Sequence, residues 1–111
     1  ARAVGERRAK ELIFRAQAFS VEQAADWGLV NHLSEPGRVL GDALEAAASV
    51  AANGPLAVRQ AKKSIHFGLQ CDLRTGCRFE IEAYNRLVSS EDRHEGVRAF
   101  NEKRTPDFKG Q

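Results

Sequence analysis

The chain has 111 residues, 42% of them apolar, and carries a formal net charge of +2 from 17 basic and 15 acidic side chains. That length fits one small domain or part of a larger one. The near balance of charge excludes an acidic tail or a histone-like basic protein. The apolar content, with no Pro-rich or Gly/Ser-rich tract and no apolar run near ~18 residues, excludes a disordered chain and a membrane-spanning helix.

The apolar periodicity is helical almost throughout. Ala9, Leu12, Ile13 and Ala16 recur at helical spacing and predict a first helix over about residues 2–16, with Arg7, Arg8, Lys10 and Glu11 on the other face. Ser20 and Gln23 form a capping box that starts a short second helix carrying Ala24, Ala25 and Trp27. Gly28 is placed to end it in a left-handed conformation. Leu29 to Leu33 is too short for a helix and reads as extended, and Glu35-Pro36-Gly37 reads as a turn.

Leu40, Ala43, Leu44, Ala47 and Ala51 form the next stripe, which Asn53-Gly54-Pro55 ends, with Pro55 suited to the first turn of the next helix. That helix sets Val58, Ala61 and Ile65 against Arg59, Lys62 and Lys63, and ends at Gly68. Asp72 caps a helix running to about Val88, striped by Leu73, Cys77, Ile81, Tyr84 and Val88. Ser89-Ser90-Glu91-Asp92 starts the last helix, with carboxylates at the positive end of its dipole. It carries Val97 and Phe100, and Thr105-Pro106 is expected to stop it before an irregular tail.

This predicts a mainly α chain of five or six helices with almost no strand. The stripes are narrow and rich in alanine, so they bury little apolar area by themselves and read as faces built to pack on something else. The chain has no methionine and opens at Ala1 on the front of a helix, which predicts a piece of a longer protein. The other reading is routine removal of an initiating methionine.

Local chemistry is sparse. His32, His66 and His94 are isolated and lack metal-ligand spacing. Cys71 and Cys77 are too far apart for a CxxC pair and read as reduced thiols of an intracellular protein. Glu80 and Glu82 point to different helix faces and read as solvated charge. Arg59, Lys62 and Lys63 could meet phosphate, but a solvated face is the simpler reading.

The order of short motifs carries more. Arg2-Ala3-Val4-Gly5 and Ala9-Lys10-Glu11-Leu12-Ile13-Phe14 are followed by Ala24-Ala25-Asp26-Trp27-Gly28-Leu29-Val30, then by Gly54-Pro55-Leu56-Ala57 and Lys62. The chain closes with Ser90-Glu91-Asp92-Arg93-His94-Glu95-Gly96-Val97-Arg98-Ala99-Phe100 and Glu102-Lys103-Arg104-Thr105-Pro106-Asp107-Phe108-Lys109-Gly110. Across its whole length the chain resembles the C-terminal part of the enoyl-CoA hydratase/isomerase (crotonase) superfamily, and the closing pattern is the most specific element.

A full-length member resembles a chain of about 260 residues, a size common for one α/β domain. The resemblance implies that residues 1–111 are the C-terminal helical and trimerisation region, and that a β-β-α spiral core precedes them in the parent protein. That core supplies the oxyanion-hole N–H groups and, in hydratases, two glutamates, so no catalytic residue is assigned to this chain, and Glu6, Glu11 and Glu22 are not promoted to the role. The resemblance implies an acyl-CoA substrate, with coenzyme A as part of the substrate and no tightly bound cofactor or metal. Tyr84 matches an aromatic position beside the CoA or acyl chain, and Phe100 and Lys103 match positions close to bound CoA. A trimer or hexamer is implied, with no nucleic-acid or membrane partner, in the cytoplasm of a bacterium or the mitochondrial matrix of a eukaryote.

The wording of the motifs is closer to hydratases, methylglutaconyl-CoA hydratases included, than to isomerases. A second reading is a non-catalytic helical interaction module derived from the same scaffold. Nucleic-acid binding through Arg59, Lys62 and Lys63 is disfavoured by the near-neutral charge and the lack of an aromatic stacking platform.

Overall fold

The computed structural model describes all residues 1–111 and contains six helices and no strand. In chain order these are α1 (Gly5–Arg15), α2 (Val21–Asp26), α3 (Val39–Ala51), α4 (Pro55–Gly68), α5 (Leu73–Val88) and α6 (Glu91–Glu102). The chain divides into two compact units, Ala1–Leu44 and Glu45–Gln111.

In the first unit α1 begins later than its apolar pattern predicts, because Val4 at its N-cap offers no side-chain acceptor. It ends at Ala16, which takes a left-handed conformation (φ 48°) and bonds back to Leu12 O. The Ser20 capping box is present: Gln23 N–H donates to Ser20 Oγ at 3.2 Å and Ser20 N–H donates to Gln23 Oε1 at 3.0 Å. Gly28 (φ 71°) then closes α2, with Gly28 N–H on Ala25 O and Leu29 N–H on Ala24 O. These two bonds make a Schellman motif, which needs a left-handed residue where Gly28 stands.

The segment Leu29–Leu33, expected to be extended, forms bends and pairs with no strand. Having no neighbouring strand, its backbone turns from the α2 cap toward the Glu35–Arg38 turn, closed by Arg38 N–H on Glu35 O. Ala9 and Ala24 are the buried apolar residues of this unit. Trp27 joins α1 to α2: the Arg8 guanidinium lies 4.7 Å from its ring centre, and the Phe19 ring is 5.3 Å away.

In the second unit α4 and α5 pack as an antiparallel pair across a short turn. Asp72 caps α5 as expected, accepting from Thr75 N–H at 3.1 Å. The residues that bring the two helices together are small or set on the inner face: Gly68, Gly76 and Ala83, with the Phe67 and Phe79 rings stacked 5.9 Å apart. The predicted stripe of α5 lies along the open side of this pair. Leu73, Ile81 and Tyr84 are all exposed, as is Ile65 on α4. The buried apolar residues of the whole chain are four alanines, Ala9, Ala24, Ala83 and Ala99. The helical period holds, and the large members of the stripes are largely uncovered in this chain, in line with faces that another surface would cover. No helix is long and apolar enough to cross a membrane.

Candidate functional site

The closing segment is the most densely bonded part of the chain. Ser90 is buried and caps α6, accepting from Arg93 N–H at 3.2 Å while its hydroxyl donates to Leu87 O at 2.8 Å. The buried face of α6 is Asp92, Glu95 and Ala99, at i, i+3 and i+7. Val97 and Phe100, the expected apolar stripe, point the other way, and Phe100 is 84% exposed. The reason lies in the tail beyond the helix. It brings backbone N–H groups without helical or sheet partners, and buried carboxylates satisfy them.

Asp92 accepts from Lys109 N–H at 2.6 Å and Gly110 N–H at 2.9 Å, and its own N–H donates to Gln111 O. Glu95 accepts from Asp107 N–H at 3.0 Å and from two guanidiniums. Arg98 reaches Glu95 Oε2 through Nε (3.1 Å) and Nη2 (2.8 Å). Arg104 grips both oxygens, with Nη1 on Oε1 and Nη2 on Oε2 at 3.0 Å. The Arg104 guanidinium, then the Asp107 N–H and Arg98, hold the Glu95 carboxyl far below the ordinary carboxylate range, and Glu95 in turn raises Arg104. The tail is thus irregular in secondary structure but fastened.

This fastening gathers motifs that lie far apart in sequence. A Cβ on Gly54 would sit 3.6 Å from Asp92 Oδ2 and 3.7 Å from Phe108 Cδ1, and one on Gly96 would sit 3.6 Å from Phe108 Cε1. Gly110 backs onto Pro55. The Gly54-Pro55 turn, α6 and the Phe108-Lys109-Gly110 tail therefore meet at one point.

α6 ends at Lys103, not at Thr105-Pro106 as expected. Lys103 takes a left-handed conformation (φ 53°), with Lys103 N–H on Phe100 O at 3.3 Å and Arg104 N–H on Ala99 O at 3.0 Å. This is a second Schellman motif, with lysine in the place that glycine holds at Gly28. The stop is made by the cap and by Arg104 turning back to Glu95, before proline is reached.

Of the three residues singled out for CoA, Phe100 and Lys103 share the last turn of α6 and both are exposed. Tyr84 is on a different helix, 59% exposed, in an open groove of about 690 Å³ between α4 and α5. Ala61 and Ile65 line one side of this groove and Leu73, Cys77 and Tyr84 the other. Gln60 Oε1, also on this groove, is buried without a hydrogen-bond partner. The face is apolar with a phenol at its rim, suited to acyl carbons or a ring. Both cysteines are free, and no group of three His, Cys, Asp or Glu side chains is placed to hold a metal. Asp92, Glu95 and Arg104 were not picked out from sequence. The signal for them was two carboxylates and an alanine at i, i+3 and i+7, where an inward helix face is expected to be apolar.

The family profile for enoyl-CoA hydratase/isomerase matches residues 1–111. The chain belongs to that family. The short-chain-enoyl-CoA hydratase of Clostridium acetobutylicum is 42% identical over 103 residues, covering 93% of this chain and 40% of that protein. The mitochondrial methylglutaconyl-CoA hydratase of mouse is 41% identical over 115 residues, covering 99% of this chain and 36% of that protein. The crystal structure of an enoyl-CoA hydratase from Bacillus anthracis superposes with a TM-score of 0.96 at 44% identity, over 99% of this chain and 43% of that one. This family member therefore spans less than half the length of each of these relatives, and its six helices are a helical portion of the crotonase fold.

Proposed function

We propose that the chain is the C-terminal helical and trimerisation region of an enzyme that hydrates 2-enoyl-CoA thioesters. The observation that supports this reading best is the match of the whole chain to hydratases more than twice its length, combined with large apolar side chains left open on its helices. In this reading those faces lie on a β-β-α core and on neighbouring subunits of a trimer or hexamer. The enzyme is a lyase of acyl-CoA, and so of fatty-acid, metabolism, in the cytoplasm of a bacterium or the mitochondrial matrix of a eukaryote.

Hydration of a conjugated thioester builds enolate charge on the thioester oxygen. Preorganised N–H donors stabilise that charge, and carboxylates handle the water and its proton. The proposal assigns both to the core and assigns CoA binding to this chain. Tyr84 and the α4–α5 groove take apolar parts of the substrate. Phe100 takes the adenine or acyl carbons, and the Lys103 ammonium serves as a point charge for a phosphate. CoA enters as part of the substrate, not as a resident cofactor.

Crotonyl-CoA hydration, followed by loss of the enoyl absorbance, tests the reading. The full-length protein is expected to turn over and the purified 111-residue chain to give none. Turnover by the chain alone would refute the assignment of the catalytic groups to the core, and an inactive full-length protein would favour a non-catalytic interaction module. Within the active protein, Lys103→Ala is expected to raise KM for the CoA thioester more than it lowers kcat, because a contact remote from the reacting carbons contributes uniform binding.

A further inference from the structure

We propose that Glu95 and Arg104 are positioning residues for phosphate recognition: they fasten the chain directly after α6, hold Lys103 in its left-handed cap, and so present its ammonium beside Phe100 to the nucleotide phosphates of a CoA thioester. The inference rests on the reading of Lys103 as a CoA contact and adds the residues that make that contact effective.

Three observations converge. The first is the cap itself. The chain builds two Schellman motifs, and Gly28 fills the left-handed position of one at no steric cost. Lys103 fills it in the other, where a Cβ is disfavoured. Alanine takes the same conformation at Ala16, so the cap is not in itself a sign of use; at Lys103 it fixes the direction in which a charged side chain leaves the end of α6.

The second is the disposition of charge. Arg98 and Arg104 are both spent on Glu95, Lys109 pairs with Asp107, and Arg93 donates to Val88 O. Among these cations only the Lys103 side chain has no hydrogen bond or ion pair. Glu95 cannot capture it, because both of its oxygens already accept from guanidinium and backbone donors.

The third is rigidity. Lys103 N–H and Arg104 N–H are both bonded back to α6, and the Arg104 side chain is held by Glu95 and Glu102. The peptide units on either side of Lys103 are therefore fixed, and only its side-chain torsions remain to be ordered on binding. Preorganisation of this kind raises affinity by lowering the ordering cost.

The test is a double-mutant cycle in the full-length protein, with crotonyl-CoA and with crotonyl-pantetheine, which lacks the nucleotide phosphates. With crotonyl-CoA, Lys103→Ala is expected to raise KM by about tenfold, the size of one lost charge-assisted contact. Arg104→Ala and Glu95→Gln should each raise KM severalfold with kcat held. Arg104→Ala combined with Lys103→Ala should be no worse than Lys103→Ala alone, because the first acts through the second. With crotonyl-pantetheine all these variants should match the parent KM. If Arg104→Ala does not fold, Arg104→Lys replaces it, keeping the charge and losing the two-pronged grip. Multiplying effects in the cycle, or equal KM losses on both thioesters, would overturn the positioning role while leaving Lys103 as a contact. A Lys103→Ala enzyme with the parent KM would remove the contact and the positioning role together.

Discussion

Gly68 at the end of α4 and Gly76 in the first turns of α5 meet backbone to backbone: a Cβ on Gly76 would lie 3.4 Å from Gly68 Cα and 3.5 Å from Gly68 O. The approach sets the spacing of the α4–α5 pair and with it the width of the groove that Tyr84 borders. It also leaves just enough room for one methyl group.

Gly76→Ala is therefore expected to be tolerated. Alanine in a helix interior is favoured over glycine by about 0.5–1 kcal/mol, and the added carbon stays in ordinary contact. Gly76→Val, with two more carbons at the same spot, should force the helices apart and cost about 1–3 kcal/mol. Urea unfolding of the two variants separates these outcomes, and an alanine variant as damaged as the valine one would show that the approach is tighter than described.

Lys103→Gly should divide stability from binding. Relief of the left-handed strain is partly offset by the greater freedom of glycine in the unfolded chain, leaving a gain of up to about 1 kcal/mol. The ammonium is lost with it, so on the proposed role KM for CoA thioesters should rise as is expected for Lys103→Ala. A thermal midpoint at or above that of the parent, with weakened binding, is the expected pair of results. A lower midpoint would mean that the lysine side chain supports the fold.

The Glu95 clamp should be indifferent to pH across the physiological range. Its folded carboxyl is held below the ordinary value of 4.5, first by Arg104 and then by the Asp107 N–H and Arg98. A depressed folded value means that the clamp stabilises fully above the unfolded value and loses that contribution as pH falls through the folded one. The stability difference between parent and Glu95→Gln should therefore be constant from pH 8 to about 5 and shrink only below about 4.5. Urea unfolding at a series of pH values measures it, and a difference that begins to shrink near neutrality would contradict the assignment.

The isolated 111-residue chain is expected to self-associate. Ile13, Phe14, Leu40, Leu73 and Phe100 are each more than two-thirds exposed. Apolar patches beyond a few hundred Å² are rarely left open in soluble proteins. Exchange of a terminal helix, with the hinge at Gly68–Cys71 or Val88–Ser90, is a low-cost way to cover them. Light scattering over a concentration series decides the matter: a monodisperse 12.2 kDa species at the highest concentrations would show that the chain closes a core of its own.

How much of this fold is readable from sequence depends on the range of the interaction. Ser20, Asp72 and Ser90 cap the helices that their side chains announce, because a cap is completed within three residues. Gly28 and Pro55 also act locally, through allowed backbone angles. The motif order sufficed for the family, since it needs only the sequence itself. Tyr84 and Phe100 lie on helices as expected, whereas Lys103 is the left-handed cap after α6, and the surroundings of all three were not legible. Periodicity says which residues share a face, and the narrow, alanine-rich stripes already read as faces that another surface must cover; which large side chains of α5 and α6 stay open came only from the folded chain. The Glu95–Arg104 pair and the hold of Asp92 on Lys109 and Gly110 join residues 9 to 18 positions apart. No local rule links such residues. Only the folded chain, by bringing unbonded tail amides against an inward carboxylate face, decided that α6 turns its charges in and its phenylalanine out.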